Sequence, residues 1–496
     1  MKVASYPNQQ KVTLTINTFE NGLNTSKDQS KTSSLYATNL YNFDFSSGNL
    51  KDGLGFANLL EHLTSGQELQ ILKNDISYIG QIEKVFHFYN YNQDLGEQDK
   101  LIIINSDLEL YYIDLFSSEK KLNYIRDIKF TSIPVAERYR LDGVDVMIFS
   151  SETDNMVVWD GINEPYQVLD APKISSMAIH YERLFATVDG EKNAIWFSDD
   201  LDPTNWSVSL EEAGFIQLID QRGALQKVVS FCDYVYIFRE YGISRLSAFA
   251  SQDQFTISNL FVSSGKIYPS SVCVCGDRII FLASDGLYAF DGLNTTKILS
   301  NITNNLTNIN NQQATSCYFN GCYYLACKFN FDMEENFSCD QNNALLEIDI
   351  HTSKLKNISK YVDIKYITSI NTSILNGVIA ITKQQDSNYF ITLLNNSGSY
   401  IGQPLYKCWS SPISQLSHPS KQKTLKKIFI TTKSNCFITI NTENQTSTYP
   451  CLSNGKTSVI QTNIPCNEFG FSLHTQEQNS NISNLQFEFY VSNIRQ

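Results

Sequence analysis

The sequence predicts an all-β protein whose main body is a β-propeller, and three observations support this prediction. Aromatic residues make up 12% of the 496 residues, with 27 Tyr and 30 Phe, and these residue types favour strands. Short β-branched and aromatic runs are separated by Asn, Asp, Gly and Ser along most of the chain, as expected of strands joined by turns. A strand–turn–strand pattern recurs at a spacing of roughly 45 residues, which is the period of a four-stranded propeller blade.

The recurring pattern is a hairpin that ends in an Asp-containing turn. Three copies are DKLIIINSDLELYYIDL (99–115), DVMIFSSETDNMVVWDG (145–161) and DRIIFLASDGLYAFDG (277–292). Four further copies begin near residues 181, 232, 320 and 376. The hairpins predict six to eight blades, with seven favoured. The alternative is an irregular all-β protein with evenly spaced loops, since the sequence contains no WD or kelch signature.

The two ends of the chain differ from the repeated region. Residues 1–75 are rich in Asn, Ser and Thr and predict an N-terminal extended arm that needs a partner or the propeller to stay ordered. The propeller is predicted over residues 76–403. Alternating strands from residue 404 to 496 predict a C-terminal β-sandwich. Helix patterns are limited to FANLLEHL (56–63) and, more weakly, ALQKVV (224–229).

Composition excludes several classes of function. The net charge of −13 argues against a protein that grips nucleic acid by neutralising phosphates, although DNA can still slide past such a surface. The first residues contain no apolar run of the ~7–15 residues that a secretory leader needs. The sequence also has no apolar run of the ~18 residues that cross a membrane. We therefore expect assembly in a cytoplasm and no insertion into a membrane. The eleven Cys, none before Cys232, predict reduced structural thiols, because CVC (273–275) lacks zinc-ligand spacing.

The stretch SDDLDPTNW (198–206) contains three carboxylates, a proline and a tryptophan in nine residues. Asp199, Asp200 and Asp202 are open to three interpretations: a turn between strands, a cation site, or the acids of a glycosidase. The stretch resembles the sialidase Asp-box but is one residue too long. A calcium site needs six to eight oxygens, and the sequence supplies no further ligands at a regular spacing. We favour the turn, placed where the chain leaves one blade for the next.

Other chemistry-bearing residues form no recognisable site, so the sequence predicts no enzyme, no cofactor, and no catalytic, cofactor-binding or metal-binding residues. The acids at expected strand ends or turns are Asp160, Asp285, Asp291 and Glu347. The arginines available to a sialidase-like site are Arg138, Arg140, Arg183, Arg222, Arg239, Arg245 and Arg278. The histidines, none at metal-ligand spacing, are His62, His87, His180, His351, His418 and His474.

Two further short motifs contain lysines. NGKTS contains Gly455-Lys456-Thr457, but Pro450 stands where a phosphate-binding loop begins with Gly. The basic cluster SKQKTLKK is either a solvated strand entry, which we favour, or a surface that docks on an acidic neighbouring subunit.

The sequence resembles a family of bacteriophage tail proteins of the β-propeller type. INTFENGLNT (16–25), followed by ATNLYNFDFSSGNLKDGLGF (37–56), is similar to the start of these proteins. ERLFATVDGEKNAIWFSDDLDPTNW (182–206) is similar to one of their blades, and LKKIFI and ISNLQFEFYV match their usual ending. The acidic insertion FNFDMEENFSCDQNN (329–343) and the cysteine content depart from the family pattern.

The resemblance implies a structural protein of the virion. Such proteins form the nozzle or distal tube of short-tailed phages, or a collar in related particles, as a ring around the DNA exit channel. The implied partners are further copies of the chain, with a hexamer favoured, neighbouring tail and adaptor proteins, and genomic DNA that passes without tight binding. The alternatives are a carbohydrate-binding or glycoside-hydrolysing propeller and a host protein-interaction scaffold.

Overall fold

The protein is described here from a computed structural model that covers residues 10–26, 33–92, 96–210, 212–249, 251–385, 388–416, 421–453 and 456–495. The fold is all-β, and several four-stranded antiparallel sheets follow one another along the chain. This arrangement is consistent with the predicted β-propeller. A second group of strands, from both ends of the chain, packs beside these sheets.

The N-terminal region contributes short strands to several sheets and then forms two helices. Its elements are β1 (Gln10–Ile16), β2 (Asn39–Tyr41), β3 (Phe43–Asp44), β4 (Leu50–Asp52), β5 (Gly55–Asn58), α1 (Leu59–Leu63) and α2 (Gly66–Tyr78). The side chain of Asn58 caps α1 by accepting a hydrogen bond from the Leu60 amide, as Asn often does at a helix start. The prediction of a helix over 56–63 is thus right only from Leu59, and α2 was not predicted.

Five separate four-stranded sheets come next, each antiparallel and in chain order. Their strands are β6 (Ile82–Asn92), β7 (Gly96–Asn105), β8 (Glu109–Asp114) and β9 (Leu122–Lys129); β10 (Val135–Leu141), β11 (Val144–Ser150), β12 (Met156–Trp159) and β13 (Tyr166–Val168); β14 (Ile174–His180), β15 (Arg183–Val188), β16 (Ala194–Phe197) and β17 (Gly214–Gln217); β18 (Leu225–Phe231), β19 (Tyr234–Arg239), β20 (Gly242–Ser247) and β21 (Thr256–Val262); and β22 (Cys273–Cys275), β23 (Arg278–Ala283), β24 (Gly286–Phe290) and β25 (Thr295–Ile298).

The next strands belong to one extended sheet in which a single long strand is shared. After α3 (Thr303–Leu306) they are β26 (Thr315–Phe319), β27 (Cys322–Cys327), β28 (Asn342–Asp349), β29 (Lys354–Asn371), β30 (Asn376–Lys383) and β31 (Phe390–Asn395). The first part of β29 pairs with β28 and its second part pairs with β30. Strand β5, from the N-terminal region, pairs with β31 and is the fourth strand beside β29, β30 and β31. Strand β29 also contacts β6, so the succession of sheets closes on itself.

Seven of the nine remaining strands form two sheets that face each other, whereas the first two extend the sheet of β31 beyond β5. The nine strands are β32 (Ser399–Tyr400), β33 (Gln403–Pro404), β34 (Lys407–Ser410), β35 (Lys421–Thr432), β36 (Cys436–Thr442), β37 (Thr446–Cys451), β38 (Thr457–Cys466), β39 (Phe469–Thr475) and β40 (Asn481–Arg495). One sheet has the order β2-β34-β39-β36-β37, and the other contains β40, β35 and β38 with β1 paired to β40. Phe469 and Phe471 of the first pack on Phe487 of the second, with ring centroids 4.9 and 4.7 Å apart.

The recurring hairpins of the sequence are present as antiparallel strand pairs. Each forms the second and third strands of a four-stranded group, from β7–β8 to β30–β31. The suggestion of a helix in ALQKVV is wrong, because residues Leu225–Phe231 form strand β18. The adjacent β-branched Val228 and Val229 favour a strand, and the antiparallel pairing with β19 overrides the short helical pattern.

Candidate functional site

A polar cavity lies where the first strands of the four-stranded groups meet, and we call it the axial cavity. Its volume is ≈ 550 Å³. Residues from β6, β10, β14, β18, β26 and β29, and from the segment before β22, line it; they include Lys84, Val135, Ser175, Ser176, Lys227, Ser270, Ser316 and Tyr366. A cavity to which so many strands contribute is the natural ligand site of this architecture.

Two lysines, Lys84 and Lys227, enter the axial cavity from β6 and β18. The Lys84 Nζ donates to the carbonyl oxygen of Pro134 at 3.0 Å, and the Lys227 Nζ donates to that of Val272 at 2.9 Å. Burial lowers the pKa of Lys84 to about 8, and the positive charge of Lys227 contributes to this shift. Burial also lowers the pKa of Lys227. The protein environment therefore disfavours both charges.

Glu137, the third residue of β10, lies near Lys227. Burial raises the pKa of its carboxyl group to about 7, while Arg138 and Lys227 act in the opposite direction. Desolvation thus outweighs the attraction of both cations. Lys84, Glu137 and Lys227 were not predicted from the sequence. The sequence indicates them only weakly, because each is simply a charged residue inside an otherwise strand-like run. Only the packing of β6, β10 and β18 brings the three residues together.

The substitution Glu137→Gln is expected to stabilise the protein at pH 8 by about 2–3 kcal/mol. The folded state holds the Glu137 proton more tightly than the unfolded state, so the stability that this group contributes is present below pH 4.5 and lost as the pH rises through about 7. Gln is neutral throughout. Urea denaturation at pH 4.5 and pH 8 measures the difference, which should vanish at the lower pH. The exposed Glu164 provides the control variant Glu164→Gln, and an equal effect there would contradict the prediction.

In the SDDLDPTNW stretch, Asp199 and Asp202 have partners close by in the chain, and Asp200 lies near Arg183. The Asp199 carboxylate accepts from the Asp200 amide and from Asn205 Nδ2, both at 2.7 Å. Asp202 Oδ1 accepts from the amide and hydroxyl of Thr204 at 2.9 and 2.6 Å. Asp200 lies 3.9 Å from Arg183 Nε. These contacts are those of a turn.

The placement of this turn was wrong in one respect. It follows β16 and leads to β17, the fourth strand of the same sheet, rather than to the next sheet. Trp206 anchors it: its indole is buried, and its Nε1 donates to the Pro203 carbonyl oxygen at 2.9 Å.

The predicted candidate arginines do not converge on one point. Arg183 is buried and donates to the carbonyl oxygens of Ser198 and Glu212. Arg239, with no exposed surface, donates to Asp220 Oδ1 at 2.8 Å, and Arg222 binds the other oxygen of the same carboxylate. The remaining four are spread over other strands: Arg138 and Arg140 on β10, Arg245 on β20 and Arg278 on β23.

Among the candidate acids, Asp160 and Asp291 accept hydrogen bonds from amides two and three residues ahead, as turn residues do. Asp285 follows β23 and accepts from the Tyr288 hydroxyl. The expectation that Glu347 lies at a strand end is wrong. It is inside β28 and buried, where the Tyr324 hydroxyl and the Lys356 ammonium, at 3.2 and 3.3 Å, compensate its charge.

The histidines are dispersed over the fold. His87, on β6, contacts Asp99 Oδ1 at 2.6 Å, and the buried His180, on β14, contacts Ser230 Oγ at 2.9 Å. His474 stacks on Phe437, and His418 lies outside the described residues. Within the ranges that the structure describes, no group of three or more His, Cys, Asp or Glu is arranged to hold a metal ion.

The cysteines and the basic cluster have mainly structural surroundings. All eleven Cys are free thiols, and eight of them are buried. Lys421, Lys426 and Lys427 lie partly exposed on β35, but Lys423 is fully buried, so the cluster is not a uniformly solvated strand entry. Gly455 of NGKTS lies outside the described residues.

The residues that carry the family resemblance occupy a buried junction between the sheets. Asn42 is buried with φ 60°; its Nδ2 donates to the carbonyl oxygens of Tyr406 and Lys360 at 2.7 and 3.1 Å, and its Oδ1 accepts from the Lys360 amide at 2.8 Å. A Cβ atom on Gly53 would stand 2.7 Å from the Asn42 backbone. Gly22 has φ 66°, and a Cβ atom there would meet the Phe45 ring at 2.8 Å. These positions therefore have a structural role.

Comparisons with known proteins assign no family. No protein-family model matches the sequence, and no curated protein matches it. Among solved structures, a crystal structure of BBS1N in complex with ARL6DN matches with a TM-score of 0.38 and 10% identity, over 60% of this chain and 88% of that chain. A likeness of this size carries no weight for fold or function. In the part of the chain that the structure describes, no helix has the length and apolar character needed to cross a membrane.

Proposed function

We propose that the protein is a seven-bladed β-propeller with an N-terminal arm and a C-terminal β-sandwich. Five four-stranded sheets supply five blades, and the two groups that share β29 supply the sixth and seventh. The N-terminal strand β5 is the outer strand of the seventh blade, because it pairs with β31. Closure of a propeller by a strand from the other end of the chain protects sheet edges. The boundaries 1–75, 76–403 and 404–496 stay a prediction.

We further propose that the chain is a structural subunit of a phage tail, located in the virion, that forms a ring around the DNA exit channel. The observation that carries this proposal is the place of the resembling residues. The motif residues Asn42, Gly53 and Phe56 hold the N-terminal region, the sandwich and the last propeller sheet together. Motif residues with such contacts support a structural role rather than a catalytic one.

The charge distribution suits a ring of identical subunits. Residues 76–403 contain 40 acidic and 24 basic residues, a net charge of −16, whereas residues 404–496 contain 4 acidic and 8 basic residues, a net charge of +4. A basic region of one copy can dock on the acidic region of the next in a head-to-tail ring, which is a closed heterologous assembly. The acidic surplus of such a ring would repel phosphates and let DNA pass.

The full chain is expected to form a cyclic oligomer, with a hexamer favoured, in near-physiological salt. Light scattering coupled to size-exclusion chromatography measures the mass, and negative-stain electron microscopy shows whether the particles are rings. Because electrostatic docking is screened by salt, 1 M NaCl should weaken the ring. A monomer at all concentrations, alone and with other tail proteins, would contradict the proposal, as would tight, salt-sensitive binding to duplex DNA.

The carbohydrate alternative has less support. It requires a pocket at the propeller axis with Trp, Tyr and paired carboxylates. Among the described residues that line the axial cavity, Tyr366 is the single aromatic one. A glycan array and a fluorogenic glycoside assay test this alternative directly.

A further inference from the structure

Lys84 and Lys227 are two half-buried cations, and no described carboxylate forms an ion pair with either of them. Both line the axial cavity, and their charges are close enough to influence each other. Each ammonium has three N–H donors and makes one hydrogen bond, to Pro134 and to Val272 respectively. Within the described part of the chain, no carboxylate lies within 4 Å of either ammonium. The remaining donors are therefore available toward the cavity.

The existing contacts compensate these charges only in part. Lys84 Nζ lies 4.9 Å from the centroid of the Phe86 ring and 5.7 Å from that of Tyr366, which gives weak cation–π stabilisation. Glu137 is the nearby acid, and its raised pKa shows that its negative charge is itself disfavoured. Like charges that share a desolvated site are costly unless an opposite charge is bound between them.

The carboxylates that line the axial cavity come from turns rather than from the first strands. Glu152, Asp189, Glu191 and Glu240 occupy turns between second and third strands, whereas the two lysines are on first strands. Glu240 is paired with Lys266 at 3.3 Å, and Glu191 accepts a hydrogen bond from Trp196 Nε1 at 2.8 Å. These two acids therefore have partners away from the lysines.

We propose that the axial cavity binds one small oxyanion, of the charge and size of inorganic phosphate, between Lys84 and Lys227. The volume of ≈ 550 Å³ is far above the roughly 30 Å³ that one water occupies, so the cavity has room for the ion and several waters. Ser175, Ser270 and Ser316 line the same cavity. The Ser175 and Ser316 hydroxyls already donate to the carbonyl oxygens of Thr187 and Ser270, which leaves the Ser270 hydroxyl as a further donor. Lysine ammonium groups bind phosphate as point charges, and the anion supplies the missing counter-charge. Binding is independent of ring assembly.

The probe is inorganic phosphate, titrated from 0 to 20 mM into the full chain at pH 7 with NaCl adjusted to constant ionic strength. Thermal unfolding is expected to shift upward by several degrees and to saturate, since a ligand that binds only the folded state stabilises it. Equilibrium dialysis with radiolabelled phosphate should give one ion per chain. Sulfate should compete. A Tm that does not change with phosphate, together with no retained label, would overturn the proposal.

The double variant Lys84→Met/Lys227→Met should lose the phosphate-dependent shift and retain no label. In chloride alone it should be at least as stable as the parent chain, because two disfavoured charges are removed. Lys173→Met, at an exposed lysine ahead of β14, is the matched control and should keep the full shift. The single variants Lys84→Met and Lys227→Met, each expected to weaken binding at least tenfold, decide the matter if the double variant does not fold. An undiminished shift in folded Lys84→Met and Lys227→Met variants would overturn the proposal.

Discussion

A chain that lacks residues 10–58 is expected not to fold. This region contributes β1, β3, β4 and β5 to sheets that also contain β40, β29 and β31. It supplies eleven buried apolar side chains: Ile16, Phe19, Leu23, Ala37, Leu40, Tyr41, Phe43, Phe45, Leu50, Leu54 and Phe56. At ~1.5–3 kcal/mol for each large side chain, their loss exceeds the ~5–15 kcal/mol by which a typical domain is stable. The truncation also exposes the edge of β31.

Circular dichroism, thermal unfolding and limited proteolysis of the truncated chain measure this effect. The matched control is removal of residues 1–9 alone, which leaves every strand named above in place. A soluble truncated chain with cooperative unfolding would contradict the prediction. It would mean that the propeller and the sandwich are stable without the N-terminal strands.

The substitution Asn42→Ala is expected to destabilise the protein by about 4 kcal/mol. It removes the Asn42 side-chain partner of three part-buried backbone groups, namely the amide and carbonyl of Lys360 and the carbonyl of Tyr406. Each group left unpaired costs ~1–3 kcal/mol. Asn42 also has φ 60°, a conformation that Asn tolerates better than Ala. Denaturant unfolding measures the free-energy difference between the variant and the parent chain.

Asn479 provides the matched control, because it has φ 59° but an exposed side chain. Asn479→Ala therefore carries the same backbone strain without the buried hydrogen bonds, and we expect a loss of about 1 kcal/mol or less. Equal effects of the two substitutions would show that backbone strain alone matters at Asn42. The junction would then depend less on this side chain than its contacts indicate.

Asn42 also explains why the N-terminal motif combines an Asn with glycines. The Gly53 amide donates to the Asn42 carbonyl oxygen at 3.1 Å, and the Gly398 amide donates to the Gly53 carbonyl oxygen at 3.1 Å. The backbones approach so closely at Gly53 that no Cβ fits without a shift. Residues in this motif thus meet geometric requirements that come from β29 and from the segment before β34, far along the chain.

Local pattern was sufficient for the strands and hairpins. Short apolar runs bounded by turn residues indicate buried strands, and DRIIFLASDGLYAFDG carries that information within itself as β23, its turn and β24. The same reasoning failed for Glu347, whose acidity suggested a strand end. Its partners, Tyr324 and Lys356, come from neighbouring strands, and no local pattern records them.

The sequence by itself therefore determined the all-β class, the repeated hairpins and the turn at SDDLDPTNW, because hydrogen bonds and burial within each of these features involve residues close in the chain. Only the tertiary structure decided that β5 pairs with β31, that Asn42 holds Lys360, and that Lys84 and Lys227 line one cavity with Glu137 near Lys227. The physical reason is sequence separation. Strand pairing across hundreds of residues and the pKa of a buried charge depend on the whole assembled environment, which a local pattern does not encode.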